Sequence, residues 1–158
     1  MSRPGSGENH LERWRDRAIT DVLHGVRGHY GATGLTERLK TALAALGPED
    51  QRLTPQQLSA VDQFHTLGLT ATAQLAELAG ITADMSVLDV GSGLGGPARF
   101  VAATHGCWVT GVDLTEPFVD AARYLTERTG QSESVSFRTA SALELPFDDG
   151  RFDVVLRR

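Results

Sequence analysis

The chain has 158 residues, 41% of them hydrophobic and 22% charged, and a net charge of −5. That length and balance fit one ordinary domain with a real core and exclude disorder throughout. The acidic excess without any basic cluster argues against a nucleic-acid partner. A single cysteine, Cys107, excludes an intrachain disulfide and a cysteine-rich metal site. It heads an apolar run, where a buried, inert thiol is expected.

In chain order, residues 1–10 read as a flexible tail rich in Gly, Ser and Pro, without the apolar stretch of a signal peptide. From there Leu11, Trp14, Ala18, Val22 and Val26 recur at spacings of three and four, one helical stripe. The glycines of GHYGATG interrupt it. Leu35, Leu39, Leu43 and Leu46 form a second stripe, stopped by Gly47-Pro48. In LTPQQL, Thr54 is placed as an N-cap, Pro55 at the first helical position and Gln57 at the capping-box position. This third helix is expected to reach about Phe64, and a fourth to span residues 70–79 before Gly80. Residues 11–80 therefore read as a helical region with no strand in it.

The character changes at Met85. SVLDV reads as a strand, PARFVAATH as a helix, WVTGVD as a strand and EPFVDAARYLTERTG as a helix with a terminal glycine. SVSFRTA and FDVVLRR supply two more strands. Strand and helix alternating at this spacing predict an α/β fold, a Rossmann-like parallel sheet over residues 81–158. No stretch approaches the ~18 apolar residues of a membrane span, so no membrane contact and a cytoplasmic location are expected.

Between the first strand and its helix, Gly91, Gly93 and Gly96 satisfy G-x-G-x-x-G, and Gly95 adds a fourth glycine. Such a turn brings backbone amides close to a ligand, and the following helix presents free N–H groups to negative charge. A dinucleotide pyrophosphate, the amino-acid end of S-adenosyl-L-methionine and a plain tight connection all suit it. Asp113 ends the second strand, where a carboxylate can accept both hydroxyls of a ribose or can cap the next helix. Asp89, inside an apolar strand, is costly to bury unless paired, and it suits a ligand bearing an ammonium group better than a pyrophosphate.

VLDVGSGLGGPARFVA, VTGVDLTEPFVDAAR and ASALELPFDDGRFDVV together resemble three successive motifs of class I S-adenosylmethionine-dependent methyltransferases. The similarity is greatest to the group that includes quinone-biosynthesis, tocopherol and sarcosine/dimethylglycine methyltransferases, and it covers residues 85–156. The resemblance implies the first four strands of a seven-stranded sheet, with S-adenosyl-L-methionine as cofactor. It sets Gly91, Ser92 and Gly93 against the methionine portion, with Asp89 supporting that end. Asp113 takes the ribose, Leu114 packs on the adenine, Ala140, Ser141 and Ala142 align with the segment at the adenine amino group, and Leu143 is an apolar wall of the same pocket. Ser141 stands where the family usually carries an aspartate bonding the adenine amino group. Thr66, in FHTLG, aligns with a segment that closes over the cofactor's carboxylate, and residues 11–80 align with a lid or substrate region. His65 reads as a core histidine before a base, and Tyr30 equally as a lid or a packing aromatic.

No catalytic residue and no metal ligand is expected, because methyl transfer from a sulfonium rests on proximity and alignment rather than acid–base groups. The implied acceptor is a small molecule. The three later strands of the family fold are absent from the sequence. Either the 158 residues are a truncated or partial enzyme, or a second copy or partner covers the edge of the fourth strand. Three functions stand open at this point: a small-molecule methyltransferase, a non-catalytic S-adenosylmethionine-binding or interaction protein, and a nicotinamide dehydrogenase.

Overall fold

A computed structural model describes residues 34–44, 47–54, 57–58 and 68–157. The expected first helix, the tail, Tyr30, His65 and Thr66 lie outside these residues. In order come α1 (Leu35–Leu43), α2 (Gly68–Leu78), β1 (Ser86–Val90), α3 (Gly96–His105), β2 (Trp108–Asp113), α4 (Glu116–Thr129), β3 (Val135–Thr139) and β4 (Val154–Arg157). Each expected strand from Met85 onward forms: β1 and β2 with the expected bounds, β3 shorter by one residue at each end, and β4 beginning two residues later than expected. Thr54 and Gln57 make the expected capping box: the Gln57 amide donates to Thr54 Oγ1 at 3.3 Å, and the Thr54 amide donates to Gln57 Oε1 at 2.9 Å.

The four strands are parallel, in the order β3-β2-β1-β4. Side chains alternate between the sheet's two faces, so Val87, Val109, Val135 and Leu156 share one face and join Ala98, Val101 and Val119 of α3 and α4 in the main core. A second apolar cluster lies outside α4. There Leu35, Leu39 and Leu43, the three described members of the second stripe, meet Ala121, Leu125 and Leu94. The Leu53 amide donates to the Arg128 carbonyl at 2.8 Å. The helical lead-in is thus joined to the α/β region by a shared core. β4 ends the described sheet on one side, and its Val155 is 59% exposed on the sheet face opposite the main core.

One row across the core face positions the glycine loop. Phe137, Gly111, Asp89 and Leu156 are register partners on β3, β2, β1 and β4. A Cβ on Gly111 would stand 2.8 Å from Ser92 Cβ and collide with the Phe137 ring. A Cβ on Gly95 would strike the same ring. The ring of Phe137, 4% exposed, therefore fills the space that two glycines leave, with the loop seated on it.

Candidate cofactor site

The loop after β1 turns through left-handed backbone at Gly91 (φ 78°), Gly93 (φ 53°) and Gly95 (φ 77°), a conformation that costs any residue with a Cβ. Gly96, the third glycine of the sequence pattern, is instead the first residue of α3. The loop is tied to β2 rather than left open. The amides of Gly91 and Ser92 both donate to the Val112 carbonyl, at 2.8 and 3.0 Å, and Gly95 donates to the Ser92 carbonyl at 2.9 Å. The Gly93 amide donates to Asp113 Oδ2 at 2.9 Å, and the Thr115 amide to Asp113 Oδ1, also at 2.9 Å.

Two consequences follow from that wiring. The loop amides at positions 91, 92, 93 and 95 are committed within the protein, so these four are not free for a pyrophosphate, which binds through free N–H groups. Asp113 is held at both oxygens, yet a carboxylate offers about four lone-pair sites, leaving one on each oxygen for a pair of hydroxyls. Thr115, not Asp113, occupies the N-cap position of α4, without a capping bond from its side chain.

A cleft of about 520 Å³ runs along the C-terminal ends of the strands. Gly91, Asp113, Leu114, Ser141, Ala142 and Leu143 line it, six of the residues named from sequence, together with Val90, Val112, Ala140 and Arg157. Leu114 is 75% exposed and Leu143 98%, two large apolar side chains at the cleft wall. The Ser141 hydroxyl accepts the Leu143 amide at 3.2 Å, and the Ala140 amide donates to the Asp113 carbonyl at 3.0 Å, so the segment after β3 is fixed to the end of β2. Asp89 and Ser92 lie buried beneath the loop and do not line the cleft. Gly93 reaches it through Asp113.

Sequence reasoning passed over three supporting residues. Phe137 and Gly111 act through strand register, as described above. Arg99, 4% exposed on α3, donates to the Leu94 carbonyl at 2.9 Å, to Thr126 Oγ1 at 3.0 Å and to the Ala122 carbonyl at 3.3 Å, binding the loop to α4. Only its place on the inner face of an amphipathic helix hinted at burial. Among the described residues no group of His, Cys, Asp and Glu is placed to hold a metal, and no helix is long and apolar enough to cross a membrane.

Comparison with known proteins agrees with this geometry. Residues 87–158 match a family model described as a methyltransferase domain. Residues 87–158 are thus similar to methyltransferase domains. A sterol 24-C-methyltransferase of Gibberella zeae is 41% identical over 81 residues, 51% of this chain and 21% of that protein. A probable tocopherol O-methyltransferase of Oryza sativa is 41% identical over 70 residues, 44% of this chain and 19% of that protein. Among solved structures, a methyltransferase of Thiobacillus denitrificans in complex with S-adenosyl-L-homocysteine superposes with a TM-score of 0.54 at 29% identity, covering 63% of this chain and 40% of that one. The chain thus spans about a fifth of the length of these two curated relatives. The α/β Rossmann-like methyltransferase fold expected from the sequence is the fold observed.

Proposed function

We propose that this chain binds S-adenosyl-L-methionine along the C-terminal edge of its sheet and transfers the methyl group to a small-molecule acceptor. The observation that carries this reading is Asp113, oriented at both oxygens by the Gly93 and Thr115 amides at the centre of the cleft. It accepts the ribose hydroxyls. Leu114, Ala142 and Leu143 supply the apolar walls that a flat purine needs, and Ser141 offers its edge a hydroxyl. Gly91 borders the methionine portion, Gly93 holds Asp113 beside it, and the buried Ser92 and Asp89 support that side from beneath. Thr66 is assigned the carboxylate end.

The residues present suit this ligand better than a nicotinamide dinucleotide, because the committed loop amides leave little for a pyrophosphate. When bound, the sulfonium supplies an already activated methyl group. The chain's task is to fix the nucleoside, align the reacting end and exclude water, so no general acid or base is assigned. We assign residues 11–80 to the acceptor side, residues 81–158 to cofactor binding and residues 1–10 to a tail, in a cytoplasmic protein. The relatives' names specify methylation at carbon in one case and oxygen in another, so the class of acceptor atom stays open.

A second reading, cofactor binding without transfer in a protein that associates through β4, is favoured by the place of β4 at the edge of the described sheet. Covering that edge with a second copy would give a dimer in sedimentation, and a monomer at all concentrations would remove self-association. For the main reading, calorimetry with S-adenosyl-L-methionine and with NAD⁺ is the test. Saturable binding of the first alone is expected; binding of NAD⁺ alone would reverse the assignment.

A further inference from the structure

The cleft follows strand order, and its lining changes along it. At the β3 and β2 ends it is walled by Leu143, Ala142 and Leu114, at its centre stands Asp113, and past Val90 of β1 it reaches Arg157 of β4. Val90 and Arg157 are register partners, so Arg157 occupies the end of the cleft farthest from β3. Among the described residues that line it, only Asp113 and Arg157 are charged. No described side chain pairs with Arg157, whereas Asp113 is already engaged by two amides. A guanidinium keeps its charge at every relevant pH and presents a planar fork of donors suited to a carboxylate.

Resting on the nucleoside reading above, we propose that Arg157 is the anion-binding residue of the cleft, pairing with a carboxylate at the β4 end. With the purine against Leu143 and the ribose on Asp113, the ligand's other end extends toward β1 and β4, so the carboxylate comes either from its own amino-acid end or from an acceptor bound beside it. A cation at that end also disfavours a cationic acceptor placed directly against it.

The test compares the intact chain with Arg157→Gln and Arg157→Lys by calorimetry, using three probes. S-adenosyl-L-homocysteine carries the amino-acid carboxylate, 5′-methylthioadenosine keeps the nucleoside and thioether without it, and benzoate serves as a free carboxylate. If the cofactor's own carboxylate is the partner, Arg157→Gln weakens S-adenosyl-L-homocysteine about tenfold, leaves 5′-methylthioadenosine unchanged, and Arg157→Lys restores part of the loss. If an acceptor supplies it, Arg157→Gln leaves both nucleosides unchanged but abolishes benzoate binding to the chain saturated with S-adenosyl-L-homocysteine. Equal weakening of both nucleosides, or no change with any probe, would overturn the proposal. Should the unaltered chain bind neither nucleoside, the cofactor reading itself falls and this proposal falls with it.

Discussion

Asp113 carries two duties that separate in mutants. Its carboxylate fastens the glycine loop to the start of α4, and it presents the remaining lone pairs to the cleft. Asp113→Ala removes both amide partners and should lower stability by about 1–3 kcal/mol in a urea melt without ligand. Asp113→Asn keeps one acceptor oxygen and turns an NH₂ toward an amide donor, so an intermediate loss is expected. Both should weaken S-adenosyl-L-methionine at least tenfold by calorimetry; a loss of stability with unchanged affinity would confine Asp113 to the structural duty. Cys107 gives a pH prediction. It is 1% exposed, and burial pushes its thiol pKa up. The unfolded thiol ionises first, so this contribution is complete below the unfolded pKa and is lost as pH rises through the raised folded one. Native protein should resist iodoacetamide at neutral pH, and Cys107→Ala should flatten the alkaline fall in stability. Prompt labelling of the folded chain would contradict that burial. At this scale the sequence was informative because glycine and aspartate announce special backbone and ligand chemistry. Arg99 was nearly silent: its place on the inner face of α3 hinted at burial, but nothing local names its three acceptors.

At the scale of elements, the periodicity from Met85 onward located each strand and helix, because short apolar runs and amphipathic stripes encode burial directly. Register is not encoded locally, and it is register that sets Phe137 over Gly111. Gly111→Ala forces a methyl against Ser92 and the Phe137 ring and should cost about 1–3 kcal/mol. Phe137→Ala should cost about 3–5 kcal/mol, since the ring has no replacement beneath the loop. The two effects should fail to add in the double mutant, because removing the ring creates room for the new methyl. Strict additivity in urea melts would show that Gly111 is not constrained by Phe137. The capping box is a local signal that did survive into the structure. Thr54→Ala should lower stability by about 0.5–2 kcal/mol.

At the scale of the molecule, two apolar clusters flank α4. The α3 and α4 side of the sheet holds the first, and the outer face of α4 holds α1 in the second. The similarity to methyltransferases lies in residues 87–158, and the relatives that share it methylate at carbon in one case and at oxygen in another by their names. The central claim is that the nucleoside lies across the strand ends with its ribose on Asp113. An amide NMR titration of the ¹⁵N-labelled chain with S-adenosyl-L-homocysteine tests it most directly. Saturable shifts concentrated at Gly93 and Thr115, whose N–H groups bond Asp113, and at Ser141–Leu143 are predicted. Shifts confined to the separate cleft at Lys40, Arg52 and Arg128, or none at saturating ligand, would contradict it.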